Sequence, residues 1–195
     1  GAFYTLPLAP KRGIGYNEGT KQKEHFCMNI RPAQQGDLPA LLEIFAHARA
    51  FMAQTGNPTQ WGNEFPRESM IEDDIANQRT MLLVDTCNGH ERILAQFALC
   101  PGEDPTYAKI DGAWLDDDSY VTIHRIASSG IVKGAAKDCI NWCIEHYGNV
   151  RADTHPNNKA MQHVLESNGF ARCGLIQLLN RPTDTTRIAY QRHEW

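Results

Sequence analysis

Apolar residues recur along this chain with two periods. Leu38, Leu41, Leu42, Phe45, Ala48 and Met52 follow the three- and four-residue steps of a helix with one buried stripe. Asp37 stands before it as N-cap, Pro39 falls in its first turn, and Gly56-Asn57-Pro58 stops it. The helical period returns at Val132, Ala136, Cys139, Ile140, Cys143, Ile144 and Tyr147, and again with Met161, Val164 and Leu165. That last helix spans 159–167 and ends at Asn168-Gly169; a shorter one covers 67–77. Strands are expected at 29–31, 80–87, 92–100, 119–126, 150–153, 170–179 and 185–192, where β-branched and aromatic residues gather. Asn88-Gly89 marks a hairpin turn between the second and third of them. Antiparallel strands come first, then a β-α-β-α section, then a final hairpin, which is an α+β order.

Residues 1–27 differ in character. Pro7, Pro10, Gly13, Gly15 and Gly19 break any period, and Lys11, Arg12, Lys21 and Lys23 make the segment basic. It reads as an N-terminal extension, native or artificial, whose role is open to contact with a neighbouring subunit. One domain is then expected over 28–195, with Met28 as a natural start.

Composition narrows the partners. A net charge of -4 argues against nucleic acid as the main ligand, because phosphate binding needs a basic face. No apolar run reaches membrane-spanning length, and no basic region followed by an apolar core opens the chain, so a cytoplasmic location is expected. None of the six cysteines forms a Cys-x-x-Cys pair. Cys139 and Cys143 lie four apart on an apolar helix face, so they read as core thiols, and no metal site is expected.

The stretch 119–137 carries the most chemistry. A buried strand runs through Ser128, Ser129, Gly130 and Gly134 into a helix. Such a join leaves backbone N–H groups free at the positive end of the helix dipole, a cradle for an anion such as a pyrophosphate. Many such joins are plain connections, and that reading stands beside it. The spacing matches neither the P-loop nor the dinucleotide fingerprint.

Over residues 28–192 the chain resembles the GCN5-related N-acetyltransferase (GNAT) superfamily. Three motifs carry the resemblance: Ile30-Arg31-Pro32-Ala33 followed by Gly36-Asp37-Leu38; Val132-Lys133-Gly134-Ala135-Ala136, similar to the family's Q/R-x-x-G-x-G/A loop; and Asn158-Lys159-Ala160-Met161 running into Leu165-Glu166-Ser167-Asn168-Gly169-Phe170. His155-Pro156-Asn157-Asn158 and His124-Arg125-Ile126-Ala127 also occur in many bacterial members. The resemblance implies a three-layer fold with helices on both faces of a mixed, mostly antiparallel sheet that splays open at the cofactor strand. It implies acetyl-CoA as cofactor, with the backbone of Ile126, Ala127 and Ser128 pairing with the pantetheine arm. The N–H groups of Val132, Lys133, Gly134, Ala135 and Ala136 would hold the pyrophosphate, and Asn158 would bond the arm from the far side. Two positions depart from the pattern. Ile131 stands where the loop's Gln or Arg is usual, and Leu165 where many members have a tyrosine acid.

Direct acetyl transfer needs a base for the amine, proximity and an oxyanion donor. His124, on the central strand, reads either as that base or as a buried histidine satisfied by a carbonyl. His155 is a second candidate, against a loop-bracing role. Trp61 and Tyr120 are placed on the acceptor side, with Phe65 as a loop anchor; Tyr120 and Tyr190 also offer protons, against a core role for each. The acids between Glu103 and Asp118 either attract a cationic amine or form a solvated loop. The expected activity is acetyl-CoA-dependent N-acetyl transfer to a primary amine of a small molecule in a ternary complex. A peptide or protein amine, or a non-catalytic acyl-CoA-binding module, are the alternatives. A last strand at a sheet edge would suit a homodimer.

Overall fold

The structure is a computed structural model that describes residues 11–16, 23–87, 90–179 and 181–194. Its strands are β1 (Lys11–Tyr16), β2 (Lys23–Pro32), β3 (Thr80–Cys87), β4 (His90–Pro101), β5 (Asp111–Gly112), β6 (Val121–Ser128), β7 (Asn149–Thr154), β8 (Ala171–Gln177) and β9 (Thr186–His193). They form one sheet in the order β1-β2-β3-β4-β6-β7-β9-β8-β5. Among the described strands, only β6 and β7 run parallel. A parallel pair needs a crossover, and helix α3 (Ala135–Tyr147) supplies it.

Both faces of the sheet are covered. Helices α1 (Leu38–Gln54) and α2 (Glu68–Ala76) bury Leu41, Phe45, Ile71 and Ile75 against Leu82 and Val84 of β3. The intervening residues of β3, Met81 and Leu83, face the other way. They join the core beneath α3 and α4 (Lys159–Ser167), where Cys139, Ile140 and Cys143 meet Phe97, Val121 and Ile123. Cys139 and Cys143 are fully buried, and that burial pushes both thiols well above their ordinary value, so the reading as core thiols holds. The α+β class and the mixed sheet with helices on both faces follow the sequence expectation.

Three details differ from it. The boundary expected at residue 28 falls inside β2, which pairs with β1 from Lys11↔Met28 to Tyr16↔Lys23. Residues 11–16 and 23–27 of the expected extension are therefore sheet. The Asn88-Gly89 turn lies outside the described residues, as does much of 1–27. Asp37 does not cap α1 with its side chain. Its carboxylate accepts from the Gln34 N–H and from Arg31 Nη1, each at 2.8 Å, and braces a 3-10 turn one step earlier. Finally, β9 is interior, flanked by β7 and β8, because the last hairpin folds back between β7 and the short β5. The edge argument for a homodimer falls with it.

The two-residue β5 escaped the sequence reading. Its backbone passes so close to β8 that a Cβ on Gly112 or Gly174 would lie 2.2 Å from a carbonyl oxygen of the facing strand. Both positions therefore require glycine.

Candidate functional site

The parallel pairing of β6 and β7 lasts three residues, from Val121↔Val150 to Ile123↔Ala152. Beyond Ile123 the strands part. The cause sits on the other side of β6, where its register with β4 shifts: His124 pairs with Ala98, but Ala127 pairs with Gln96. Two residues, Arg125 and Ile126, thus oppose the single Phe97, which is a β-bulge. Arg125 takes φ 51, and the Gln96 side chain donates to its carbonyl to hold the bend. Past this bulge no described strand covers the β7-facing edge of β6 from Arg125 to Ser128.

The opening leads into a cavity of about 850 Å³. His124, Ile126, Thr154, Asn158, Leu165 and Trp61 are among its lining residues. Thr154 Oγ1 is buried there with no partner among the described residues, an orphan acceptor and donor at the lip of the gap.

His124 anchors a polar group inside the cavity. Its Nε2 lies 2.8 Å from Asp104 Oδ2, and its Nδ1 lies 3.8 Å from Asp153 Oδ2. A carboxylate only accepts, so Nε2 carries the hydrogen and Nδ1 is the nitrogen left to take a proton. The His124 hydrogen bond and the Thr106 N–H hold the Asp104 carboxyl down at about 2, against the opposing effect of burial. Tyr107 donates to Asp153 at 2.8 Å. Its full burial, with Asp153 beside it, pushes the phenol well above its ordinary value, so it stays protonated. Sequence reasoning missed Asp104, Tyr107 and Asp153. The acidic run containing Asp104 looked like a solvated loop; the short 3-10 turn at Pro105–Tyr107 folds it inward.

The other expected residues divide. Ala127 is buried in the α1 core and Ser128 ends β6, so only their main chain is offered to the gap. Gly134 precedes α3 with φ 86, and a Cβ there would meet nothing within 4 Å. Val132 packs on the core, while Lys133 and Ile131 point to solvent. Asn158 caps α4 by accepting from the Met161 N–H at 3.1 Å and donates to Gln60 at 2.9 Å. Trp61 is buried against Phe45 and Phe65, yet also lines the cavity.

Two placements change the reading. His155 is buried with both ring nitrogens in use: Nδ1 accepts the Asn157 N–H at 3.0 Å, and Nε2 donates to Asp184 at 2.7 Å. It does not line the cavity. Neither nitrogen is left for a substrate, so His155 braces its loop. Tyr120 also lies off the cavity, its ring 3.9 Å beneath the Arg151 guanidinium and its hydroxyl accepting the Asp104 N–H at 3.0 Å. It positions Asp104 rather than an acceptor. Tyr190 is fully buried and donates to Glu166.

These features match known proteins. The model of the Acetyltransferase (GNAT) domain family matches residues 28–171. An acetyltransferase of the GNAT family from Streptococcus agalactiae is 31% identical, with a TM-score of 0.74, over 87% of this chain and 96% of that one. A ribosomal-protein-alanine N-acetyltransferase from Brucella melitensis shares the fold at 17% identity and a TM-score of 0.57, over 85% of this chain and 99% of that one. So does yncA from Salmonella typhimurium, solved with its cofactor acetyl-CoA, at 16% identity and a TM-score of 0.54, over 85% and 93% of the two chains. No protein of curated function matches the chain. The domain model covers most of the sequence, and the Streptococcus agalactiae acetyltransferase is 31% identical over most of both chains: the chain belongs to the GNAT family of acetyltransferases.

Proposed function

We propose that the protein transfers an acetyl group from acetyl-CoA to a primary amine of a small molecule, directly and within a ternary complex. The residues present suit that cofactor. An amide-bearing arm can bond the uncovered edge of β6, the orphan Thr154 hydroxyl and the remaining Asn158 N–H. The free N–H groups at the start of α3 suit a pyrophosphate, with no side chain in front of Gly134. Bound there, acetyl-CoA supplies an activated acetyl thioester.

The observation that carries the reading is the His124–Asp104 hydrogen bond inside a cavity that opens at an unpaired strand edge. Asp104 fixes the ring and its tautomer. His124 Nδ1 then accepts the ammonium proton, and Asp153 at 3.8 Å stabilises the imidazolium that results. The N–H groups of the open β6 edge supply an oxyanion donor. Leu165 lines the cavity and has no proton to give, so the departing thiolate takes its proton from solvent.

The small-molecule reading rests on the acceptor side. Arg181 Nη1 donates to the Gln60 carbonyl at 2.8 Å, and the Gln60 side chain accepts from Asn158. These bonds tie the loop after α1 to the loop between β8 and β9 across the cavity. A peptide acceptor needs a channel open there. Thiol release measured over small amines and peptides tests this. Turnover of small amines alone supports it; turnover of peptides alone favours the protein-amine reading, and tight coenzyme A binding without turnover favours a binding module.

A further inference from the structure

We propose that the acceptor amine also carries a carboxylate, as an amino acid does, and that Arg187 with Arg181 binds it. This rests on the acetyltransferase reading and names the substrate class for the same cavity.

The charges lining the cavity do not all cancel locally. Arg79 is paired with Asp73 and Asp74, and Arg125 with Asp74. Asp104 and Asp153, on the opposite side, keep their charge and accept hydrogen bonds from His124 and Tyr107. Two cations remain on the β8–β9 side. Arg181 donates to a main-chain carbonyl and sits 5.9 Å from the Phe65 ring, with no carboxylate at ion-pair distance among the described residues. Arg187 is 2% exposed and lines the cavity. Its Nη1 donates to the carbonyls of Asp184 and Thr186 at 2.8 and 2.7 Å, which fixes the guanidinium plane. Its Nε and Nη2 have no hydrogen-bond partner among the described residues. The nearest carboxylate, that of Asp184, stands 3.7 Å from Nη1 and already accepts from His155. Burial lowers the Arg187 pKa, with Asp153 and Asp184 only opposing it. A buried guanidinium fork with two unused donors facing a cavity matches a carboxylate.

Both ends of such a molecule would meet one cavity. Asp153, beside His124 Nδ1, pairs with Ala189 on β9, and Arg187 is two residues before Ala189, on the same face of that strand. His124, Asp153 and Arg187 all line the cavity, from β6, β7 and β9, which are neighbours in that order.

Calorimetric titration in the presence of coenzyme A tests this, with a panel of amino acids and their uncharged carboxamides as probes. At least one amino acid should bind about tenfold or more tightly than its own amide. Arg187→Gln should erase that difference, and Arg187→Lys should restore part of it. Arg181→Gln, at a more accessible position, should reduce it even where Arg187→Gln fails to fold. Amides that bind as well as their amino acids, or no binding by any member, would overturn the proposal. Failure of the acetyltransferase reading reads differently: no thiol is released with any amine, whatever the binding preference.

Discussion

Asp104 Oδ2 and His124 Nε2 stand 2.8 Å apart, and their chain positions are joined only by the turn that folds an acidic loop over β6. This contact gives the imidazole one tautomer and one orientation. Asp104→Asn should lower kcat/KM by about ten- to a hundredfold while leaving acetyl-CoA affinity unchanged. The acidic limb of the pH–rate profile should also move, because the amide no longer stabilises an imidazolium. An unaltered profile would remove Asp104 from the positioning role.

The same pair sets an acid sensitivity. The folded Asp104 carboxyl is held at about 2, below its ordinary 3.8. A depressed carboxylate contributes stability above its unfolded value, and that contribution is lost as pH falls through the folded one. Melting temperature should therefore decline between about pH 4 and pH 2, and less steeply in Asp104→Asn. Equal slopes in the two proteins would contradict the assignment.

His124→Ala should reduce kcat/KM by about a hundred- to ten-thousandfold, the usual contribution of a positioned base. The same substitution at His155 should act differently. His155 braces a loop with both nitrogens, so His155→Ala should lower the melting temperature and leave the shape of the pH–rate profile unchanged. A lost limb in the His155 variant would reverse the two roles.

Gly134 separates strain from charge. At φ 86 any other residue is strained by roughly 1–2 kcal/mol, though a Cβ meets no neighbour within 4 Å. Gly134→Ala should therefore cost stability with little loss of coenzyme A affinity. Gly134→Glu adds an anion where the pyrophosphate is expected, and should weaken binding in titration far more than Gly134→Ala does. Equal affinities for the two variants would place the phosphates elsewhere.

Much of the fold was legible because period and punctuation agree. The stripe from Leu38 to Met52 and the stop at Asn168-Gly169 each have one solution. The interior position of β9 was not legible, because it depends on which of two neighbours β8 and β9 each choose. The candidate site could be outlined from sequence where it is made of main chain, at β6 and the start of α3. His124 could be placed on one face of its strand by counting, and it lines the cavity. Asp104 and Tyr107 were not singled out, because a loop and its 3-10 turn bring them in and no period governs a loop; Arg187 lies on β9, and its burial depends on the interior place of that strand. His155 and Tyr120 had suitable chemistry, but their partners Asp184, Asn157 and Arg151 lie outside any local pattern.

The extra residue at Arg125 has a consequence for how this chain can vary. Remove one residue from 125–126 and the register with β4 would run straight through. Ala127 and Ser128 would exchange faces, and the amides now left over would turn back toward β7 and be bonded by it. The length of that short segment, more than the identity of any side chain within it, keeps a slot in the sheet that another molecule can fill.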